Sequence, residues 1–143
     1  MGPDYYGDMH CQGASISIVI GSANAWVAIP SGLVSSDHSG WTISGGNTLT
    51  CNETGIYHIM ISCTLQCGSA NQVISCTYAV GGTASTNVLG ELEIVNTNRP
   101  YCVTCCDINR FNSGDALTIV LENNTAANNL TVNACTLTVV RVG

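Results

Sequence analysis

Short runs of β-forming residues, separated by turn residues about every ten positions, constrain the fold of this chain more than any other feature. In the longest run, residues 56–65, apolar and polar side chains alternate. One set is Tyr57, Ile59, Ile61, Cys63 and Leu65, and the other is His58, Met60, Ser62 and Thr64. Successive side chains of a strand point to opposite faces, so the first set is predicted to lie in a core. No helix-period stripe of comparable length is present, and the sequence therefore predicts an all-β protein.

Further runs have the same character. Residues 114–122 place Leu117, Ile119 and Leu121 on one face after a Gly-Asp turn, which predicts a second core strand. Additional strands are predicted at residues 26–29, 41–43, 48–51, 73–80, 88–95 and 101–108. The total is close to the number of strands in an antiparallel jelly-roll β-sandwich, which we take as the predicted architecture.

The last run, residues 130–142, is apolar on both faces. Leu137 and Val139 lie on one face, and Val132, Val140 and Val142 lie on the other. In a small sandwich, a strand that is apolar on both sides indicates a contact between subunits. Leu137, Val139, Val140 and Val142 are therefore predicted to lie at a subunit interface.

Charged residues are scarce, at 8% of the chain, while 45% of the residues are hydrophobic and lysine is absent. A soluble monomer usually has about 25% charged residues, so self-association is expected to cover part of this surface. The apolar stretches are interrupted well short of the roughly 20 residues that a membrane span needs. The net charge of −6 opposes phosphate groups, so neither nucleic acid nor a membrane is an expected partner.

The chain is predicted to divide into an N-terminal arm, residues 1–24, and a jelly-roll domain, residues 25–143. The arm contains a candidate strand at residues 14–20 and lacks the charged and apolar regions of a secretory signal, so export by that route is not expected. Tyr5 and Tyr6 stand in an otherwise polar part of the arm. Tyrosine offers a large contact area at small entropic cost, so both are candidates for anchoring the arm on a partner.

Nine cysteines stand at positions 11, 51, 63, 67, 76, 102, 105, 106 and 135. Their odd number and the missing export signal favour reduced, mostly buried thiols over disulfides, although disulfides remain open. Cys102 and Cys105 have the spacing of a zinc or redox motif. Strand alternation, however, turns Cys102 and Cys106 to one face and Cys105 to the other, so no metal or cofactor is predicted.

No catalytic set is predicted either. His10, His38 and His58 are scattered, and a Ser, His and Asp set is easy to compose by chance in a chain so rich in serine. Glu91 and Glu93 share one face of a predicted strand, where their charges discourage edge pairing. The protein is therefore not expected to be an enzyme.

The order of five motifs resembles the trimeric jelly rolls of tumour-necrosis-factor-like and complement globular-head domains. Compact versions at the ends of bacterial spore-surface collagen-like proteins and in phage virion proteins are the most similar. The motifs are WVAIP at residues 26–30, GIYHIMIS at 55–62, AVGGT at 79–83, NSGDALTI at 112–119 and LTVVRV at 137–142. The resemblance implies a homotrimer packed about a three-fold axis, without catalysis. The chain differs from these proteins in having more cysteine and no collagen stalk.

Three functional classes fit such a trimer. The favoured hypothesis is a structural virion protein, namely a phage capsid decoration or cement trimer that binds the major capsid protein on the capsid exterior after assembly in the host cytoplasm. Its symmetry would match three-fold positions of the shell, and binding would stabilise the shell by mass action. The alternative is a receptor- or glycan-binding knob of a phage fibre or spore-surface protein. A trimeric extracellular signalling ligand is the third, for which a signal peptide and paired cysteines would be expected.

Overall fold

Twelve β-strands form two antiparallel sheets in residues 4–143, the part of the chain that the computed structural model describes. Their bounds are β1 Tyr6–Cys11, β2 Ile16–Ile18, β3 Val27–Ala28, β4 Trp41–Ser44, β5 Thr48–Cys51, β6 Gly55–Cys67, β7 Gln72–Val80, β8 Thr83–Ala84, β9 Gly90–Ile94, β10 Tyr101–Phe111, β11 Ala116–Asn123 and β12 Leu130–Arg141. Every strand predicted between residues 26 and 142 has a counterpart here. The predicted antiparallel jelly roll is thereby confirmed.

The first sheet has the strand order β1-β12-β6-β10, with β2 also paired to β12. The second sheet has the order β4-β5-β11-β7-β8, with β3 paired to β11 and β9 paired to β7. The last strand, β12, is central to the first sheet because it pairs with β1, β2 and β6. The sheet therefore joins the beginning, the middle and the end of the chain.

The core lies between the sheets and contains the residues that alternation predicts. All five inward residues of β6, from Tyr57 to Leu65, are at most 3% exposed, and so are the three predicted from β11. An aromatic cluster of Trp41, Tyr57, Tyr78 and Phe111 fills one region of the core. The rings of Trp41 and Tyr57 meet edge to face with centroids 4.9 Å apart, a geometry worth about 0.5–1.5 kcal/mol beyond area burial.

The expected N-terminal arm is corrected by the structure. β1 pairs with β12 over six residues, and β2, within the candidate strand at residues 14–20, pairs with the beginning of β12. Met9 and Ile18 are completely buried. The described part of residues 1–24 is therefore a component of the sandwich, because its backbone completes the hydrogen bonds of β12.

The expected faces of the last strand are also corrected. A β-bulge between Val132 and Ala134 shifts the register, which turns Val132 to the same face as Leu137 and Val139. These three side chains are completely buried within the single chain, so Leu137 and Val139 are core residues rather than interface residues. Val140 and Val142 lie on the outside, 49% and 58% exposed.

Candidate self-association surface

The outer face of the first sheet, defined here as the outward side chains of β1, β12, β6 and β10, is an ordered array of cross-strand rows. The pairing registers align four strands, so each row contains one residue from each. The first row is Tyr6, Val140, His58 and Ile108. The second is Asp8, Thr138, Met60 and Cys106, and the third is His10, Thr136, Ser62 and Thr104.

Apolar side chains are concentrated at one end of this face. Met60, Ile108 and Val140 are 50%, 63% and 49% exposed, and Val142 lies just beyond the first row. Each buried methylene group contributes about 0.8 kcal/mol, so covering these side chains would favour association. Adjacent exposed apolar side chains of this kind mark interaction sites more often than isolated ones do.

Charge separates the two outer faces of the sandwich. Among the described residues, the outer face of the first sheet carries only Asp8 and Arg110 as formally charged side chains. The outer face of the second sheet carries Glu122 and, on the adjoining strand β9, Glu91 and Glu93. Partial burial and the charge of Glu91 raise the pKa of Glu122. Covering the first face would desolvate few charges, whereas covering the second would desolvate three carboxylates.

A groove of about 690 Å³ runs along the outer face of the first sheet. Met60, Thr138 and Cys106 form its floor, and the loop residues Val88 and Leu89 form one wall. The hydroxyl of Thr77 donates a hydrogen bond to the carbonyl of Val88 at 2.7 Å, which holds the loop in place. Leu89 in the wall and Met60 in the floor are 52% and 50% exposed, so each offers an apolar side chain to a partner.

At the other edge of this face, Asp8 connects β1 to the loop at residues 35–38. One carboxylate oxygen of Asp8 accepts hydrogen bonds from the hydroxyl of Ser35 and the backbone N–H groups of Ser36 and Asp37, at 3.1, 3.0 and 3.2 Å. The other oxygen is 2.7 Å from Nδ1 of His10. Desolvation opposes ionisation of Asp8, but the hydrogen bonds outweigh it and lower its pKa.

In the same cluster, Ser36, His10 and Asp8 follow one another in space as the nucleophile, base and orienting acid of a catalytic triad do. Nε2 of His10 lies 3.5 Å from the hydroxyl of Ser36, and Nδ1 faces Asp8. The backbone N–H groups of Ser36 and Asp37 donate to Asp8, however, so they do not face a developing oxyanion beside Ser36. We interpret the cluster as a connection between β1 and the loop.

The two predicted anchoring tyrosines have different positions. Tyr5 packs against the core of its own chain, with the guanidinium of Arg141 5.3 Å from its ring centroid. Tyr6 lies in the first row of the outer face, and its hydroxyl donates to Asp37 at 3.1 Å. Of the predicted site residues, Tyr6, Val140 and Val142 are thus brought together, while Leu137 and Val139 lie on the opposite side of the sheet.

The cysteine cluster at residues 102–106 has the alternation predicted for a strand. Cys102 and Cys106 are exposed on the outer face, and Cys105 is buried. Residues 4–143 contain no group of three or more His, Cys, Asp or Glu side chains placed to hold a metal ion. Likewise, no membrane-spanning helix is found in this part of the chain.

The sequence does not predict the groove or the Asp8 cluster, because both need a loop to be placed against the sheet. One signal for the cluster is present: Asp8 and His10 are two residues apart and so share a strand face. The position of Leu89 beside Met60 has no comparable local signal.

Three solved structures with a similar fold align over nearly the whole of this chain. Eiger TNF from S. frugiperda superposes with a TM-score of 0.69 at 13% identity, covering 99% of this chain and 94% of its own. Murine APRIL at pH 8.0 superposes with a TM-score of 0.64 at 11% identity, covering 98% of this chain and 100% of its own. The PRD1 vertex protein P5 superposes with a TM-score of 0.65 at 16% identity, covering 100% of both chains.

No protein-family model matches this sequence, and no curated protein matches it. The structural similarities establish the class: the chain is a TNF-like jelly roll, as the motif order predicts. At these identities they establish the fold alone.

Proposed function

We propose that this protein is a structural virion protein, a homotrimer that decorates and stabilises a phage capsid. The observation that carries the proposal is the similarity of the whole chain to P5, a phage vertex protein, over the whole length of both. The charge-poor outer face of the first sheet supports self-association. The protein acts in this proposal through its surfaces and without catalysis.

In the trimer, the outer face of the first sheet contacts the neighbouring subunits. Its apolar end, with Val140, Val142 and Ile108, packs near the three-fold axis, and the acidic face of the second sheet stays in water. Tyr6, rather than the internally packed Tyr5, serves as the anchoring tyrosine. A trimer of this kind matches three-fold positions of an icosahedral shell.

The partner in the assembled particle is the major capsid protein, and the trimer binds at the capsid exterior. Because the trimer binds the assembled shell and not the free subunits, it stabilises the shell by mass action. The free energy gained grows with the logarithm of trimer concentration relative to its dissociation constant.

Immunogold labelling of virus particles purified from the source culture, with an antibody against this protein, tests the proposal. Label distributed over the whole head is expected. Label confined to fibres would reject capsid decoration and favour the alternative, a receptor- or glycan-binding knob. Purified particles that contain no peptide of this protein by mass spectrometry would reject a virion function.

A further inference from the structure

We propose that Cys11 and Cys135 are a disulfide-forming pair that covalently joins β1 to β12 when the folded protein meets a small oxidised thiol such as oxidised glutathione. Cys11 stands at the end of β1, directly opposite Cys135 in the register of the two strands. Their Sγ atoms are 3.6 Å apart.

The geometry suits a disulfide without separation of the strands. Directly opposed residues of an antiparallel pair have Cα atoms about 4.5–5.5 Å apart, within the range of about 4.4–6.8 Å that disulfides span. Side-chain rotation must bring the two sulfur atoms from contact to a bond of about 2.05 Å. No change of register is needed.

The same pair is reached from the surface. A pit of about 180 Å³ is lined by Cys11, Cys135, Gln12 and Thr64 among others. Cys11 is partly exposed, whereas Cys135 is 3% exposed. Cys63 lies opposite Cys135 on its other side but is completely buried. An oxidant therefore meets Cys11 first, and Cys135 is the adjacent thiol that resolves the intermediate.

Oxidised glutathione accepts the two electrons that the cysteine pair loses. The Cys11 thiolate attacks one sulfur of oxidised glutathione, which breaks its S–S bond and releases the first glutathione thiolate. Cys135 then loses its proton and attacks Sγ of Cys11, releasing the second. The two thiol protons end on the two glutathione molecules, which are reduced as the pair is oxidised.

The reaction is expected to be slow near neutral pH and faster at alkaline pH. Two effects raise the pKa of Cys11 to about 11: desolvation is the larger, and the neighbouring Cys135 is the second. The thiolate is the attacking species, so its low population limits the rate. Oxidation joins residues far apart in the chain, which restricts the unfolded state and should raise Tm by roughly 10 °C.

The experiment starts from a Cys102→Ser, Cys106→Ser variant, so that the two exposed thiols neither consume oxidant nor cross-link molecules. The folded protein is incubated with oxidised glutathione at pH 8.5, alkylated and digested with a protease that cleaves after Asp and Glu. Such digestion separates Cys11, in residues 9–37, from Cys63, in residues 54–91, and from Cys135, in residues 123–143. A disulfide between the first and last of these peptides is expected.

Three results would overturn the proposal: a link of Cys135 to residues 54–91, mixed disulfides alone, or unmodified thiols. Adding Cys11→Ser should abolish the oxidation-dependent rise in Tm. Cys67→Ser is the matched control, because its thiol donates to the carbonyl of Asn129 and a hydroxyl can do the same. If Cys11→Ser fails to fold, Cys11→Ala replaces it. A rise in Tm that persists without Cys11 would also reject the pair.

Discussion

Gly90, the first residue of β9, permits a close approach between the two sheets. A Cβ atom at this position would overlap the carbonyl oxygen of Thr104 in β10, which belongs to the other sheet. A backbone carbonyl in a paired strand has little freedom to move. Glycine is therefore required here for space rather than for an unusual backbone angle.

Gly90→Ala is predicted to lower the free energy of unfolding by about 1–3 kcal/mol, the usual cost of forcing extra volume into a packed site. The shift in the midpoint of urea denaturation between Gly90→Ala and the parent protein measures this loss of stability. Gly68→Ala is the control, since a Cβ at Gly68 meets no atom within 4 Å. Equal midpoints for the two variants would contradict the close approach.

Residue positions were predictable where the signal is local. The inward set of β6 follows from alternation alone, because strand geometry fixes it irrespective of the partner strand. The roles of Gly90 and Leu89 depend on which backbone and which side chains lie across from them. No spacing in the sequence encodes that information.

Among the elements, β1 shows how hydrogen bonds compensate for a short apolar surface. It buries one large apolar side chain, Met9, and depends on pairing with β12 and on the Asp8 cluster. The absence of an apolar run is why the sequence predicts an arm here. The bulge in β12 was likewise unpredictable, because a single extra residue leaves the local composition unchanged.

Asp8→Ala is predicted to lower the free energy of unfolding by about 1.5–3 kcal/mol at pH 5.5, the usual contribution of hydrogen bonds to a charged group. The folded-state pKa of Asp8 lies below its ordinary value of 3.8. Its stabilisation is therefore present above that value and is lost as the pH falls through the lower, folded-state pKa. The urea midpoints of Asp8→Ala and of the parent protein should differ at pH 5.5 and converge towards pH 3.

The exposed Glu93, on the second sheet, supplies the comparison. Glu93→Ala should leave the midpoint within about 0.5 kcal/mol of the parent, as surface substitutions usually do. A difference between Asp8→Ala and the parent that stays constant between the two pH values would show that the carboxylate charge has no part in the connection.

For the whole molecule, the sequence predicts more of the fold than of the surface. The order of five motifs is enough to indicate the jelly roll, because each motif marks a strand or the turn beside it. The interface prediction joined two core residues, Leu137 and Val139, to two exposed ones, Val140 and Val142. Hydrophobicity alone does not separate the inside of a sheet from a face that another subunit covers.

A charge on the outer face of the first sheet is predicted to break the proposed trimer. Met60→Glu and Ile108→Glu should each weaken association by a factor of 100 or more, because burying an unpaired charge costs several kcal/mol. Light scattering after size exclusion at micromolar concentration should then give the mass of a monomer. Val95→Glu, at an equally exposed valine beyond β9, should remain trimeric. A monomeric parent protein would reject the interface.

The central position of β12 also sets the order in which the chain can fold. The second sheet is complete once residue 123 has been synthesised, but the strand that joins β1 and β2 to β6 extends to residue 141. Until then β1 and β2 have no partner strand in the first sheet, and β6 is paired only with β10. Assembly of the first sheet is therefore expected to wait for β12 and to be slow, as for other chains dominated by non-local pairing.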